Sequence, residues 1–227
     1  MERRTTAAGV LALTGLALVG CGDGTSVGAA DGPPEVPTTH RALAAAVIDH
    51  LGQRPVAAAA LTTKDGVRRR DWGVEVAFAR PGSDPTHVSL YLTRDLAAWT
   101  GTDCDGEENE NASGCVERTV HGVPVRVSWQ AEAPEEDPGV ITVVARHRDR
   151  VVAAGASGPH VPRRLEGSRL QAMADRMADL VLDPAVGFTT SRAYDDAGTA
   201  LPDRVWLDWY GQGNGSPSPG PGTQHQD

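Results

Sequence analysis

The closest approach to a nucleophilic arrangement in the sequence is the pair Ser157 and His160, within the segment GASGPH at 155–160. A serine hydrolase elbow needs the pattern Gly-x-Ser-x-Gly on a turn from a strand to a helix, which exposes the serine beside an oxyanion hole. This segment has the first glycine spacing and lacks the second, and no third partner is indicated. We interpret it as a turn that ends a strand, and we predict no catalytic residue.

Histidines are the next candidates for chemistry, because they ligate zinc at characteristic spacings. None of the seven lies four residues from another histidine or from a cysteine on a predicted helix. The sequence also has neither a glycine-rich phosphate loop nor a His-Glu-x-x-His pattern. We therefore expect no metal site and no cofactor. The seven are His40, His50, His87, His121, His147, His160 and His225.

Two charged segments have more than one interpretation. The acidic residues between 103 and 110 supply carboxylates of the kind that bind Ca²⁺, but their spacing matches no calcium-loop pattern, and a solvated loop is the simpler interpretation. The arginine run at 68–70 fits a contact with lipid headgroups or an acidic partner, a protected strand edge, or an ion pair with the acidic segment. The acidic residues are Asp103, Asp105, Glu107, Glu108 and Glu110.

The N-terminal segment has the organisation of an export signal. Arg3 and Arg4 precede an apolar run at 7–19, and Leu-Val-Gly-Cys follows at 18–21. The apolar run of about 13 residues is shorter than the ~20 that a membrane-spanning helix needs. Positive charge before it and small residues after it are typical of a secretory signal peptide.

Leu-Val-Gly-Cys at 18–21 resembles the lipobox of bacterial lipoproteins. The resemblance implies cleavage between Gly20 and Cys21, diacylglycerol in thioether linkage on Cys21, and a location on the outer face of the cell membrane. Two acyl chains anchor a protein stably where one is marginal. Arg3 and Arg4 leave the twin-arginine export route open, although the residues that follow favour the general secretory route.

Composition limits the partners. Of 227 residues, 30 are acidic and 21 basic. Removal of residues 1–20 takes away Glu2, Arg3 and Arg4, which leaves 29 acidic and 19 basic residues in a mature chain of 207 and a net charge of −10. Nucleic-acid binding depends on Lys and Arg that neutralise phosphates, so we expect no nucleic-acid partner. No later stretch approaches ~20 apolar residues, so the lipid is the expected membrane attachment.

With Cys21 assigned to lipid, Cys104 and Cys115 remain as a pair. Outside the membrane the redox setting permits disulfides, and an even pair in an exported domain most simply indicates one bridge. A bridge that closes the short loop between Cys104 and Cys115 should stabilise the folded domain by about 2.5–3 kcal/mol. The alternatives are two free thiols or a metal-binding pair, and the sequence has no further metal ligands near the two cysteines.

Local composition divides the mature chain. Residues 21–37 carry the lipidated cysteine and a Gly- and Pro-rich stretch that we interpret as a flexible tether. Residues 211–227 are too poor in apolar groups to fold, and we expect a disordered tail. The folded extracytoplasmic domain is then expected at 38–210.

Two segments have helical periodicity. Leu43, Val47 and Leu51 form an apolar stripe at 39–51, with a cap at Thr38 or Thr39 and an end at Gly52. A second stripe covers 169–182, where Ser168 and Gln171 have the spacing of a capping box. We interpret its methionines as core residues. The stripe consists of Leu170, Met173, Ala174, Met177 and Val181.

Between the helices, apolar and polar residues alternate with the period of half-buried strands. Alternation is clear at 72–78, 88–92 and 123–129, and a hairpin is predicted at 140–157. A strand at 115–120 should turn at His121–Gly122, Lys64-Asp65-Gly66 is a further turn signal, and 205–210 suits a last strand or strap. Strands without intervening helices indicate an α+β fold. We expect an antiparallel meander of five to seven strands, with the N-terminal and C-terminal helices packed on one face.

These observations favour a non-enzymatic envelope module that binds a protein or another envelope component. An enzyme or a small-ligand carrier that acts on wall or lipid components is the alternative, because sites assembled from distant residues escape motif analysis. The layout also resembles that of uncharacterised lipoproteins of high-G+C Gram-positive bacteria, a resemblance that implies no activity.

Overall fold

The computed structural model describes residues 35–61, 71–102, 104, 112–133 and 138–207. Several sequence predictions lie outside these residues: the signal peptide with Gly20 and Cys21, the tether up to residue 34, the turn at 64–66, the arginine run at 68–70, the acidic residues of 103–110, and the tail at 211–227. Of the helices in the described part of the chain, none is long and apolar enough to cross a membrane.

The fold combines one large antiparallel sheet with three α-helices, which confirms the α+β prediction. In chain order the elements are β1 (Glu35–Pro37), α1 (His40–Leu51), β2 (Pro55–Ala60), β3 (Trp72–Arg80), β4 (Ser83–Thr93), a 3₁₀ helix (Leu96–Thr102), β5 (Gly114–Val120), β6 (Val123–Gln130), β7 (Val140–Arg146), β8 (Val151–Ser157), α2 (Arg169–Leu182), β9 (Thr189–Ser191) and α3 (Arg192–Thr199).

The large sheet has the strand order β2-β3-β4-β8-β7-β6-β5, and every neighbouring pair is antiparallel. The prediction of a simple meander is wrong at one point, because β4 pairs with β8 instead of β5. The chain leaves β4 through the 3₁₀ helix and reaches the far edge of the sheet before it returns strand by strand. Two short meanders therefore meet in the middle of the sheet.

Both predicted helices pack on the same face of the sheet. Helix α1 contacts β2, β3 and β4, and α2 contacts β6, β7 and β8. The strand residues on this face are buried between sheet and helices because burial of apolar area is the main favourable term in folding. The inward strand residues include Val76, Phe78, Leu90, Leu92, Val125, Ile141, Val143, Val152 and Ala154.

The helix ends test the capping predictions. The Thr39 hydroxyl accepts a hydrogen bond from the Ala42 amide at 3.0 Å, and Gly52 ends α1 in the left-handed conformation (φ 60°), as predicted. Ser168 does occupy the N-cap of α2, but the predicted capping box is wrong. Its hydroxyl donates to the Leu165 carbonyl, and the Gln171 side chain donates to Asp175. A serine near a turn has local backbone acceptors that compete with the capping geometry.

The sequence did not predict the 3₁₀ helix, α3, strand β2, or the two-stranded sheet of β1 and β9. Strand β1 falls within the segment interpreted as a tether, so Glu35–Pro37 belong to the folded part of the chain. At the other end, Val205 and Leu207 form backbone hydrogen bonds with Ala58, which makes 205–207 a strap along β2. The Cys104–Cys115 disulfide is present.

Candidate functional site

A cleft lies between the β5–β6 edge of the sheet and the N-terminal end of α2. We call it the Trp129 cleft. Its volume is about 850 Å³, within the range of ligand-binding clefts. Its floor is apolar and its rim is largely charged, and it is lined by Val116, Arg118, Val127, Trp129, Arg164, Leu165, Glu166, Gly167, Gln171 and Asp175.

The cleft exists because the helices do not cover the whole sheet. Helix α2 contacts β6, β7 and β8, whereas β5 continues the sheet beyond them. Val116, on the floor of the cleft, consequently has 51% of its surface exposed. Among the described residues, the only other large apolar side chain with comparable exposure is Val56, at 44%. An apolar surface with a polar rim, as in this cleft, is typical of a ligand-binding groove.

Trp129 forms one wall of the cleft, and two contacts fix its ring. The indole Nε1 donates to the Arg163 carbonyl at 3.2 Å. The ring lies across β5 at Gly114, where an added Cβ would be only 2.1 Å from the indole. The absence of a side chain at Gly114 therefore leaves the space that the Trp129 ring occupies.

The rim carries an ion pair that spans the cleft. Arg118 on β5 and Asp175 on α2 approach to 3.9 Å, and both side chains are about half exposed. Gln171 donates to the same Asp175 carboxylate at 2.9 Å. Exposed pairs of this kind contribute little to stability. Breaking the rim contacts therefore costs little free energy when a ligand offers alternative hydrogen bonds.

A second polar cluster lies on the opposite face of the sheet. The buried Glu75 carboxylate accepts from the Ser89 hydroxyl at 3.1 Å, and His87 Nδ1 lies 2.9 Å from its other oxygen. A catalytic serine would instead donate to the histidine, with the carboxylate behind the imidazole. Here the carboxylate lies between the other two groups. The Ser89 and His87 contacts provide hydrogen-bond partners for the buried carboxylate, and their order differs from that of a catalytic triad.

A buried arginine stabilises that same face. Arg126 on β6 donates to the Trp99 carbonyl at 2.9 Å and to Glu117 at 3.1 Å. Its guanidinium also lies 4.2 Å from the centroid of the Trp99 ring, a cation–π distance. These contacts attach the 3₁₀ helix, which follows β4 in the chain, to strand β6 of the sheet.

A third cluster joins the helices. Asp183, at the C-terminal end of α2, contacts His50 of α1 at 2.9 Å and Tyr194 of α3 at 2.8 Å. Burial alone would raise the pKa of the Asp183 carboxyl, but hydrogen bonds from His50, the Ala185 amide and Tyr194 outweigh burial and hold that pKa below its ordinary value. Burial, together with the Asp183 and Asp49 carboxylates, raises the pKa of the Tyr194 hydroxyl.

The residues considered from sequence are placed as follows. Ser157 ends β8, and the His160 imidazole contacts Glu132 in an exposed position beyond the turn at Gly158, which fits the interpretation of a strand-ending turn. Cys115 lies on β5 and bridges to Cys104. In the part of the chain that the structure describes, no group of three His, Cys, Asp or Glu residues is arranged to hold a metal ion.

Sequence reasoning placed Val127 and Trp129 on a strand but did not identify the cleft. Its lining comes from three separate segments, 116–129, 164–167 and 171–175, and no short motif connects them. The exposure of Val116 would have indicated the cleft, but it can be recognised only when the strand order shows that β5 lies at the edge of the sheet.

Comparison with known proteins gave no relative: no family model, no curated protein and no solved structure matches the chain.

Proposed function

We propose that this chain is a lipoprotein, anchored through lipid on Cys21 to the outer face of the cell membrane. Its folded domain is a non-enzymatic module that binds an envelope component in the Trp129 cleft. The observation that carries the binding role is the cleft itself, which combines an exposed apolar floor at Val116 with a hydrogen-bonding rim.

The anchor is supported by the N-terminal sequence. Arg3 and Arg4, the apolar run and Leu-Val-Gly-Cys at 18–21 occur together with the spacing of a lipoprotein signal. In cells fed radiolabelled palmitate, the wild-type chain should be labelled and the Cys21→Ala variant should not. Undiminished labelling of Cys21→Ala would overturn the anchor without affecting the cleft.

The chemistry of the lining defines the kind of component that fits. Val116, Val127 and Trp129 offer apolar contact to an aliphatic or planar group, and Arg118 and Asp175 offer hydrogen bonds of both polarities at the rim. A partner with an apolar segment flanked by polar groups satisfies both. A strongly charged ligand of one sign does not, because the two arginines of the lining are balanced by two carboxylates.

The volume of the cleft also favours one alternative, a carrier for a small ligand. A cleft of about 850 Å³ is large enough for a molecule of lipid or drug size. Native mass spectrometry of the protein extracted from its own membranes separates the two roles. A carrier should be released with a bound small molecule of uniform mass, whereas a docking module should be released without one.

Site-specific photo-cross-linking in intact cells tests the binding role. A photoreactive p-benzoylphenylalanine at Val116 should capture an envelope component of defined mass. The same group at Val56 is the matched control, because Val56 is similarly exposed but lies on β2 at the other end of the sheet. Equal capture at both positions, or no heterologous adduct at Val116, would contradict the proposal.

A further inference from the structure

We propose that the outer edge of β5, which pairs with no strand among the described residues, pairs with β5 of a second copy of the chain, so that two sheets become one and two Trp129 clefts join into a single groove. This inference is independent of the ligand proposed above. It rests on the two edges of the sheet, the direction of the β5 backbone groups, and the side chains that would face each other.

The two edges of the sheet differ. At one edge, the Ala58 amide donates to Val205 at 2.6 Å and Leu207 donates to Ala58 at 2.8 Å, so the strap occupies β2. At the other edge, β5 pairs with β6 and has no second strand neighbour among the described residues. Edges with open backbone groups are templates for further strand pairing.

The hairpin between β5 and β6 determines which backbone groups of β5 point outward. His121 (φ 49°) and Gly122 (φ 79°) both have positive φ, as a two-residue type I′ turn requires. The pair Val120–Val123 that flanks such a turn is hydrogen-bonded, and this pattern repeats at every second residue. The N–H and C=O groups of Cys115, Glu117 and Thr119 therefore point away from β6.

Three symmetric antiparallel registers use these outward groups, centred on Val116, Glu117 or Arg118. The registers centred on Glu117 and Arg118 place two identical charges directly opposite each other, which destabilises a strand pair. The register centred on Val116 places the exposed valine of one copy against that of the other. It buries exposed apolar surface and opposes no like charges, so the geometry favours it.

The same register offers Arg118 a further contact besides Asp175. Each Arg118 then lies opposite Gly114 of the second copy, where the Trp129 ring of that copy crosses the strand. Among the described residues, arginine already lies over tryptophan, at 4.2 Å for Arg126 and Trp99 and at 5.1 Å for Arg41 and Trp206. The contact between copies would repeat this cation–π arrangement.

A shared groove follows from the symmetry. A two-fold axis perpendicular to the sheet keeps both helix-bearing faces on the same side, so the Val116 floors become adjacent and the two Trp129 rings face each other across them. Strand pairing over so few residues buries less than the ~1,200 Å² typical of stable complexes. The pairing should therefore be weak in dilute solution and favoured where anchoring on a membrane raises the effective concentration.

Cysteine cross-linking in native membranes tests the pairing and its register. Non-hydrogen-bonded antiparallel pairs have Cα atoms about 4.5 Å apart, within reach of a disulfide. Under mild oxidation the Val116→Cys variant of the full chain should form a disulfide-linked dimer, whereas Arg118→Cys and Val56→Cys should not. Cys104 and Cys115 do not interfere, because they are joined to each other.

Each other outcome of the experiment contradicts the proposal. A dimer with Arg118→Cys alone, or one that forms only when Val116→Cys and Arg118→Cys chains are co-expressed, would overturn the register. Equal yields at Val116 and Val56, or no dimer at all, would overturn the pairing. As a second measurement, sedimentation of the detergent-solubilised chain should show self-association that Val116→Lys weakens about tenfold, because two lysines would then face each other.

Discussion

The Tyr194 hydroxyl donates to Oδ2 of Asp183 across 2.8 Å, and His50 Nε2 lies 2.9 Å from the same oxygen. One carboxylate therefore joins α1, α2 and α3. Asp183→Asn should lower the free energy of unfolding by about 1–3 kcal/mol, because the partly buried partners lose a charged acceptor. Urea denaturation measures the loss. Asp179→Asn, at an exposed position on α2, should change stability by less than about 0.5 kcal/mol, and equal losses in the two variants would contradict this role.

The lowered pKa of Asp183 predicts a pH dependence with a definite sign. The folded state binds a proton at this carboxyl less readily than the unfolded state, whose pKa is near 3.8. The stabilisation is therefore complete above that value and is lost as the pH falls through the folded-state pKa. The difference in unfolding free energy between wild type and Asp183→Asn should shrink as the pH falls below about 4. A difference that does not change with pH would show that the carboxylate charge is not involved.

Arg126 and Arg118 allow a comparison of a buried and an exposed arginine on adjacent strands. Arg126→Leu should cost about 2–3 kcal/mol, because the buried Trp99 carbonyl loses its donor and the ring loses its cation. Arg118→Leu should cost less than about 0.5 kcal/mol, since its partner Asp175 is half exposed. Thermal and urea unfolding measure both, and a smaller loss for Arg126→Leu than for Arg118→Leu would refute the assignment.

The sequence was sufficient for the elements with strong periodicity. The apolar stripe of α1, the caps at Thr39 and Gly52, and the alternation along β3, β4 and β6 were predicted from local pattern alone and are present. Helix α3 was missed because its eight residues carry only a short apolar face. It is held by tertiary contact, most closely where Gly198 approaches the Arg41 backbone so tightly that an added Cβ would lie 2.5 Å from it.

Strand order was the decisive information that local pattern did not contain. A meander was the simplest arrangement of consecutive strands, but β4 pairs with β8, and β8, β7 and β6 lie between β4 and β5 in the sheet. The chain leaves β4 through the 3₁₀ helix, which the Trp99–Arg126 contacts attach to β6. Only that crossover makes β5 an edge strand and exposes Val116. The Trp129 cleft depends on the same fact, because its walls come from segments that no sequence spacing relates.

The position of the Trp129 ring offers the most direct test of the binding role, because a single methyl group can move it. Gly114→Ala places a Cβ 2.1 Å from the indole and must displace it, whereas Gly155→Ala, on β8, meets no atom within 4 Å. The decisive measurement is the yield of the heterologous adduct formed by a photoreactive group at Val116 in intact cells. The yield should fall severalfold in Gly114→Ala and stay at the wild-type level in Gly155→Ala. An unchanged yield in Gly114→Ala would contradict a binding site formed by this cleft.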